Sequence, residues 1–314
     1  MSLLEAFEKV CRETATEFPH GIDESGRWFR GDAYDPEGNR HKGAAAAACG
    51  MSQKGVRCIS IWNHVTQAQG TAFEDDGRRG LSREEIERQA RIYAEARRKQ
   101  KAEREQAGRE AAERGAEQWR HAVPAVECGH PYLARKRVKP VEPLRVLGSV
   151  LLVPYFAFDV AAGSLVLRHF QTIDAEGVKR FPKGSAHKGA FWAPDSLRRA
   201  KEPPCRVGIA EGVATAMSVT QVNGFPCVAA GSCGSLKDAA LTLRMMFPGA
   251  ELVICSDRGN GEKDAEKAAA AVMPHAVLAL PEFTPEDVAR YQEMTGSQKA
   301  PTDFNDLYAA RGML

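Results

Sequence analysis

Two apolar runs in the last third of the chain set its pattern. Val207-Gly208-Ile209-Ala210 ends at Glu211-Gly212, and Leu252-Val253-Ile254-Cys255 ends at Ser256-Asp257. Neither run alternates with polar residues, which is what a strand covered on both faces requires. Each leads into a helix-like stretch, at 213–219 and 262–272. Strand-like runs at 225–231 and 276–280 and a helical stretch at 235–247 continue the alternation. The pattern predicts an α/β domain over 203–314, a parallel sheet with right-handed crossovers. Ligands of such a sheet bind in the crevice beyond the carboxyl ends of the strands, where Glu211 and Asp257 fall together. The chain closes on a polar, acidic stretch, Thr302-Asp303-Phe304-Asn305-Asp306, running into a short helix.

Upstream the periods change. An amphipathic helix over 3–17 and short strands at 26–31, 56–62 and 69–73, separated by turns such as Asp35-Pro36-Glu37-Gly38, predict a small amino-terminal α+β region over 1–80. The alanine run 44–48 reads as a helical turn or a small packed surface. Residues 81–120 are densely charged, with both signs interspersed and only a thin apolar stripe, and Ser82-Arg83-Glu84-Glu85 has the form of a capping box. A long charged helical linker fits this stretch better than a dedicated nucleic-acid contact. Strand-like runs at 149–155 and 165–174 then predict a β-rich basic subdomain over 121–202. It opens on a basic run containing Arg135 and Arg137, and it carries Lys179, Arg180, Lys183 and Lys188 around Gly-rich backbone that phosphates can approach closely.

Charge balance adds little, since 43 basic and 41 acidic residues leave a net charge of +2. What matters is where the basic residues fall. The eight cysteines form no C-x-x-C pair and read as reduced, mostly buried thiols. His20, His41, Cys49, Cys58 and His64 match no familiar zinc spacing, which favours ordinary core or surface roles. No window reaches the roughly 18 apolar residues of a membrane span, and the first residues lack the apolar core of a signal peptide. The expected location is the cytoplasm, with no membrane partner.

Glu211-Gly212 after one strand, Asp257 after another, and the Thr-Asp-Phe-Asn-Asp-Leu ending together resemble a Toprim domain, in the version found in primase-like proteins of plasmids, satellite phages and integrative elements. The resemblance extends upstream through His130-Pro131-Tyr132-Leu133 and the basic stretch 179–189, and more loosely to 20–120. It implies metal-dependent phosphoryl transfer on nucleic acid, with Glu211 as metal ligand or general acid/base and Asp257 as metal ligand for Mg²⁺ or Mn²⁺. Hard cations of this kind take carboxylate oxygens and neutralise developing phosphate charge. The sequence departs from the Asp-x-Asp of the family, because Gly259 stands where the second Asp belongs and Arg258 lies between. Asp264, Asp303 and Asp306 are the candidate replacements, the last two favoured by their loop, although Asp and Asn there suit a helix N-cap equally well.

Three functions are compatible with these residues. The leading one is a primase-like nucleotidyltransferase that holds a single-stranded DNA template and ribonucleotides along Arg135, Arg137, Lys179, Arg180, Lys183 and Lys188, and that works beside a separate helicase or transfer protein, since no G-x-x-x-x-G-K-[ST] loop is present. The second is a degenerate Toprim protein that binds nucleic acid or a replication partner without synthesis. A Toprim nuclease ranks last.

Overall fold

Ser2 caps the first helix reciprocally: its hydroxyl accepts from the Glu5 N–H at 3.2 Å, and the Glu5 carboxylate accepts from the Ser2 N–H at 2.7 Å. The computed structural model describes residues 2–23, 25–52, 56–74, 83–182, 189–259 and 261–314. They divide into two units, 1–104 and 105–314, the division falling inside a long charged helix.

In the first unit, α1 (Leu3–Glu13) buries Leu3, Ala6, Phe7 and Cys11. It stops four residues before the point that periodicity suggests. Thr14 folds its hydroxyl back on the Val10 carbonyl at 2.7 Å, and Ala15 takes a positive φ of 49°. β1 (Thr16–Glu17), β2 (Trp28–Tyr34), β3 (Arg40–Met51), β4 (Arg57–Asn63) and β5 (Gln69–Phe73) then form an antiparallel sheet in that order. The alanine run 44–48 is not a helical turn; it lies within central strand β3, where Ala45 to Ala48 are buried and packed. Alanine is a poor strand former, and pairing on both sides overrides its propensity. Ala47, Cys49, Ile59 and Ile61 share one core with α1. The histidines and cysteines of this region do not converge: among the described residues no three His, Cys, Asp or Glu side chains group as metal ligands, and Cys49 donates to the Asp23 carbonyl. The charged stretch is helical, as α2 (Arg83–His121). The Ser82 cap lies outside the described residues.

The second unit takes the end of α2, then β6 (Val123–Pro124), α3 (Ala125–Cys128), α4 (Pro131–Arg135), β7 (Arg145–Leu147), β8 (Val150–Asp159), β9 (Ser164–Ile173), β10 (Lys179–Arg180) and α5 (Asp195–Arg198). Its five strands form a second antiparallel sheet, ordered β10-β9-β8-β7-β6. Next come β11 (Arg206–Ala210), α6 (Val213–Asn223), β12 (Cys227–Ala229), α7 (Leu236–Met246), β13 (Glu251–Cys255), α8 (Glu262–Ala270), β14 (Val277–Ala279), α9 (Pro285–Thr295) and α10 (Phe304–Ala310). These strands make the expected parallel sheet, ordered β12-β11-β13-β14. Helix α9 has no counterpart in the periodicity reading, although Thr284-Pro285-Glu286-Asp287 is a capping box with Pro at the first turn.

β11 is buried on both faces, as its unbroken apolar run requires. Val207 and Ile209 pack with Leu236, Ala240 and Leu243 of α7 and with Ala265 and Ala268 of α8. Ala210 packs in the other layer with Val213 and Met217 of α6 and Leu307 and Tyr308 of α10. One short segment joins the two sheets of this unit. Phe191 exchanges backbone hydrogen bonds with Phe156 of β8 at 2.8 and 2.9 Å, and Trp192 does the same with Ala229 of β12 at 2.9 and 3.0 Å. Both side chains are fully buried.

Asn63 tests the first unit. It is fully buried, its amide donates to the carbonyls of Thr14 (2.8 Å) and Ala15 (3.1 Å), and its oxygen accepts from Val65 and Thr66. Asn63→Ala leaves these buried groups without partners and is expected to cost about 2–4 kcal/mol, read as a lower urea midpoint.

Candidate metal and phosphate site

The register of the parallel sheet fixes the site. Ala210 of β11 is paired with Cys255 of β13, so both strands end level. Glu211 follows one residue beyond the first and Asp257 two residues beyond the second, and both leave the sheet at its carboxyl edge. The structure thus brings the two together, each half-buried in the crevice. The peptide N–H of Gly231, at the end of the third level strand, bonds to the Glu211 carbonyl at 2.8 Å. Gly231 has φ of 88°, and a side chain there would meet the Tyr155 ring and hydroxyl at 3.0 Å and Phe181 at 3.1 Å. Glycine lets β8 and β10 close over this edge.

The charges are mutually unfavourable. Burial, then the neighbouring carboxylates of Asp303 and Glu211, push the Asp257 carboxyl up to about 7. Glu211 is also raised, chiefly by burial, with Asp264 and Asp303 adding to it and Lys179 opposing. The buried Asp257 Oδ1 has no hydrogen-bond partner. An unsatisfied, crowded carboxylate in a crevice is a site marker rather than a structural bond.

The remaining expected residues divide into three groups. Lys179 of β10 reaches the site: its Nζ lies 3.5 Å from the place a Cβ on Gly212 would occupy, and its charge lowers both Glu211 and Asp257. Asp303 faces the same acids while capping α10, its Oδ1 accepting from the Asp306 N–H at 2.8 Å. Cap and neighbour of the site are therefore both its roles. Asp306 is engaged, accepting from Lys136 Nζ at 3.2 Å and from the Thr302 N–H at 3.1 Å, and its charge still raises Asp257. Arg180 is exposed and ion-paired with Asp174 at 2.8 Å, Arg135 donates to the Ala175 carbonyl at 2.9 Å, and Arg137 is exposed. Lys183 and Lys188 lie outside the described residues.

Three neighbours of the site escaped the sequence reading. Lys136 sits between Arg135 and Arg137 in a run of like residues, and only folding turns it inward to Asp306. Burial opposes its charge, and Asp303 and Asp306 more than offset that, so its pKa lies above the usual lysine value. Cys233 follows β12, its backbone hydrogen-bonded to Glu211 and its thiol pushed up to about 11 by burial and by the Glu211 and Asp264 charges. Tyr155 walls the crevice, stacked on His169 at 5.1 Å with Phe181 edge-on at 5.3 Å. No spacing signal in the sequence marks any of the three.

Gly259 has φ of 99°, a conformation that Asp disfavours, and its N–H donates to Glu262 Oε1 at 2.8 Å, closing the turn into α8. Arg258 turns away, its Nε donating to the Pro281 carbonyl at 2.9 Å. Its charge is not among the principal ones acting on Glu211 or Asp257.

The donor set fits a hard divalent cation held loosely. Two strand-end carboxylates, one with an unsatisfied buried oxygen, suit Mg²⁺, which keeps several waters and takes one or two protein carboxylates plus phosphate. It does not fit a cation caged by protein alone, since no three-ligand group exists among the described residues.

Comparison with known proteins agrees with this geometry. Residues 206–313 match the family described as Toprim domain. Two Escherichia coli proteins, each named DNA primase TraC, are similar to the chain: one is 29% identical over 233 residues, 70% of this chain and 15% of that protein, and the other 32% over 134 residues, 40% and 12% respectively. The chain thus spans less than a sixth of the length of these relatives. The longer alignment exceeds the Toprim segment twofold, so the similarity also takes in chain outside it. The parallel sheet and its helices are a Toprim domain, and the protein that carries it is primase-like in sequence.

Proposed function

We propose that this chain is a primase-type nucleotidyltransferase that joins ribonucleotides on a single-stranded DNA template, with Glu211 and Asp257 as its catalytic carboxylates. The observation that carries the reading is their convergence at the level ends of β11 and β13, with Asp257 Oδ1 buried and unsatisfied. A bound Mg²⁺ or Mn²⁺ would neutralise charge developing on the transferred phosphate. Glu211 and Asp257 would hold that ion, with Asp303 supplying further negative potential behind them. Lys179 lies close enough for its charge to lower both carboxylates in the free protein, and phosphate oxygens would draw it when a nucleotide enters. Glu211, raised by burial, is also suited to hold or pass a proton at the attacking hydroxyl. Arg135, Arg137 and Arg180, with Lys183 and Lys188, would hold template phosphates by salt-sensitive contacts.

A second reading, nucleic-acid binding without synthesis, is favoured by Gly259, whose positive φ leaves the site one carboxylate short of the family pattern. A template-directed synthesis assay with Mg²⁺ or Mn²⁺ separates the two. The expected outcome is short RNA products that fall at least about 100-fold in Glu211→Gln. Single-strand binding with no product under either metal, and indifference to that substitution, would establish the second reading.

The pH dependence follows from Asp257. Its carboxyl, moved from 3.8 to about 7, keeps in the folded protein a proton that the unfolded chain has lost. Its contribution to stability is therefore present below about pH 4 and is lost as pH rises through 7. Without divalent metal at pH 8, Asp257→Asn is expected to stabilise the protein by roughly 1–2 kcal/mol, allowing for solvent screening at this half-buried group, as a thermal melt would show.

Because the bound ion needs the carboxylate, Mn²⁺ binding should release a proton and tighten up to about tenfold per pH unit below 7, flattening above. Calorimetry in buffers of different ionisation enthalpy measures both.

A further inference from the structure

The sheet of the amino-terminal unit has two unlike faces. The face carrying Ala47, Cys49, Ile59 and Ile61 is covered by α1. On the other, Arg30 of β2 pairs with Ala46 of β3, and Ala46 pairs with Trp62 of β4, so the three stand in one row across the sheet. Trp28 lies two residues before Arg30, and His64 two residues after Trp62. These residues and Arg104 line an open groove of about 320 Å³. Ala46 forms a small floor, and two indoles flank it.

Four features of this groove go beyond an exposed apolar patch. Trp28 is 36% exposed, a large area for an indole on a sheet, and its backbone is held by Gln100: its peptide N–H donates to Gln100 Oε1, and Gln100 Nε2 donates to its carbonyl, both at 3.0 Å. Arg30 and Arg104 are exposed and enter no ion pair or hydrogen bond among the described residues. No carboxylate lines the groove. Burial and the Arg30 charge hold His64 below the usual histidine value, so at neutral pH it offers a neutral ring.

We infer that this groove is a stacking site for unpaired bases of a single-stranded nucleic acid, with Trp28 and Trp62 as the stacking surfaces and Arg30 and Arg104 as the contacts to flanking phosphates. The charge complementarity is one-sided, cationic and unpaired, as a polyanion requires. Two indoles lining one groove offer faces to a flat ring that has left its stack, which a duplex interior cannot supply, and stacking of this kind is sequence-tolerant because every base has a π-face. The site is separate from the Toprim carboxylates and does not depend on whether they catalyse anything.

The test uses the full chain and a labelled oligothymidylate about 15 nucleotides long, with oligouridylate and a duplex of the same length in parallel. Of the four tryptophans, Trp192 is fully buried and Trp119 is packed on Phe170, so quenching of indole emission reports mainly on Trp28 and Trp62. Expected are quenching by either single strand, with weaker binding of duplex, and a loss of about five- to 150-fold in affinity in Trp28→Ala and in Trp62→Ala. Arg30→Ala, an exposed substitution that threatens no core, should weaken binding and lower the slope of log affinity against log salt by about one. Wild-type affinity in Arg30→Ala and Trp28→Ala, with no quenching, would overturn the proposal. Binding lost in Lys179→Ala but kept in the groove variants would overturn it too, and would leave the primase reading standing. Binding lost in the groove variants with no RNA product under any metal supports the groove and removes the primase reading.

Discussion

The second unit depends on the level register of β11 and β13. Because Ala210 and Cys255 are paired, the residues that follow leave the sheet side by side, and two acids distant in sequence become neighbours in a crevice. A parallel ladder fixes this without side-chain chemistry, and both strands must be buried to hold it. The cost is electrostatic: Asp257 lies near Glu211 and Asp303 with its Oδ1 unsatisfied, so the free protein holds an acid more readily protonated than an aspartate in water. Such repulsion retained at a sheet edge marks a candidate site and underlies the proposed binding of a cation and phosphate there.

The antiparallel sheet of the same unit is tied to that edge by backbone. Phe191 pairs with β8 and Trp192 with β12, so one buried dipeptide joins the two sheets. The tie places Tyr155 against Gly231 and brings Lys179 beside Gly212, where its charge acts on Glu211. Lys136 closes the other side by its ion pair with Asp306, leaving Asp303 nearer the site. The acids thus come from the Toprim sheet, and the cations nearest them come from elements that precede it.

Local backbone conformation decides two further matters. Gly259 takes a φ that an aspartate in its place would adopt only with strain, in a turn that closes on Glu262. In the amino-terminal unit the alanine run becomes a central strand, and its small side chains leave the floor over which Trp28 and Trp62 stand.

The sequence by itself determined the parallel sheet, the positions of Glu211 and Asp257 at its edge and the helical character of the charged stretch. Each is written as a local pattern: apolar runs bounded by an acid, or a thin apolar stripe among dense charges of both signs. Tertiary structure alone decided that Lys136 turns inward while Arg135 and Arg137 stay out, since the three read alike in a basic run. It also decided that Asp306 is tied to Lys136 while Asp303 both caps and faces the site, and that five alanines form a strand. None of these is encoded at a fixed spacing. They depend on what a distant strand or helix presents at the same point in space, which only the packing of the whole unit specifies.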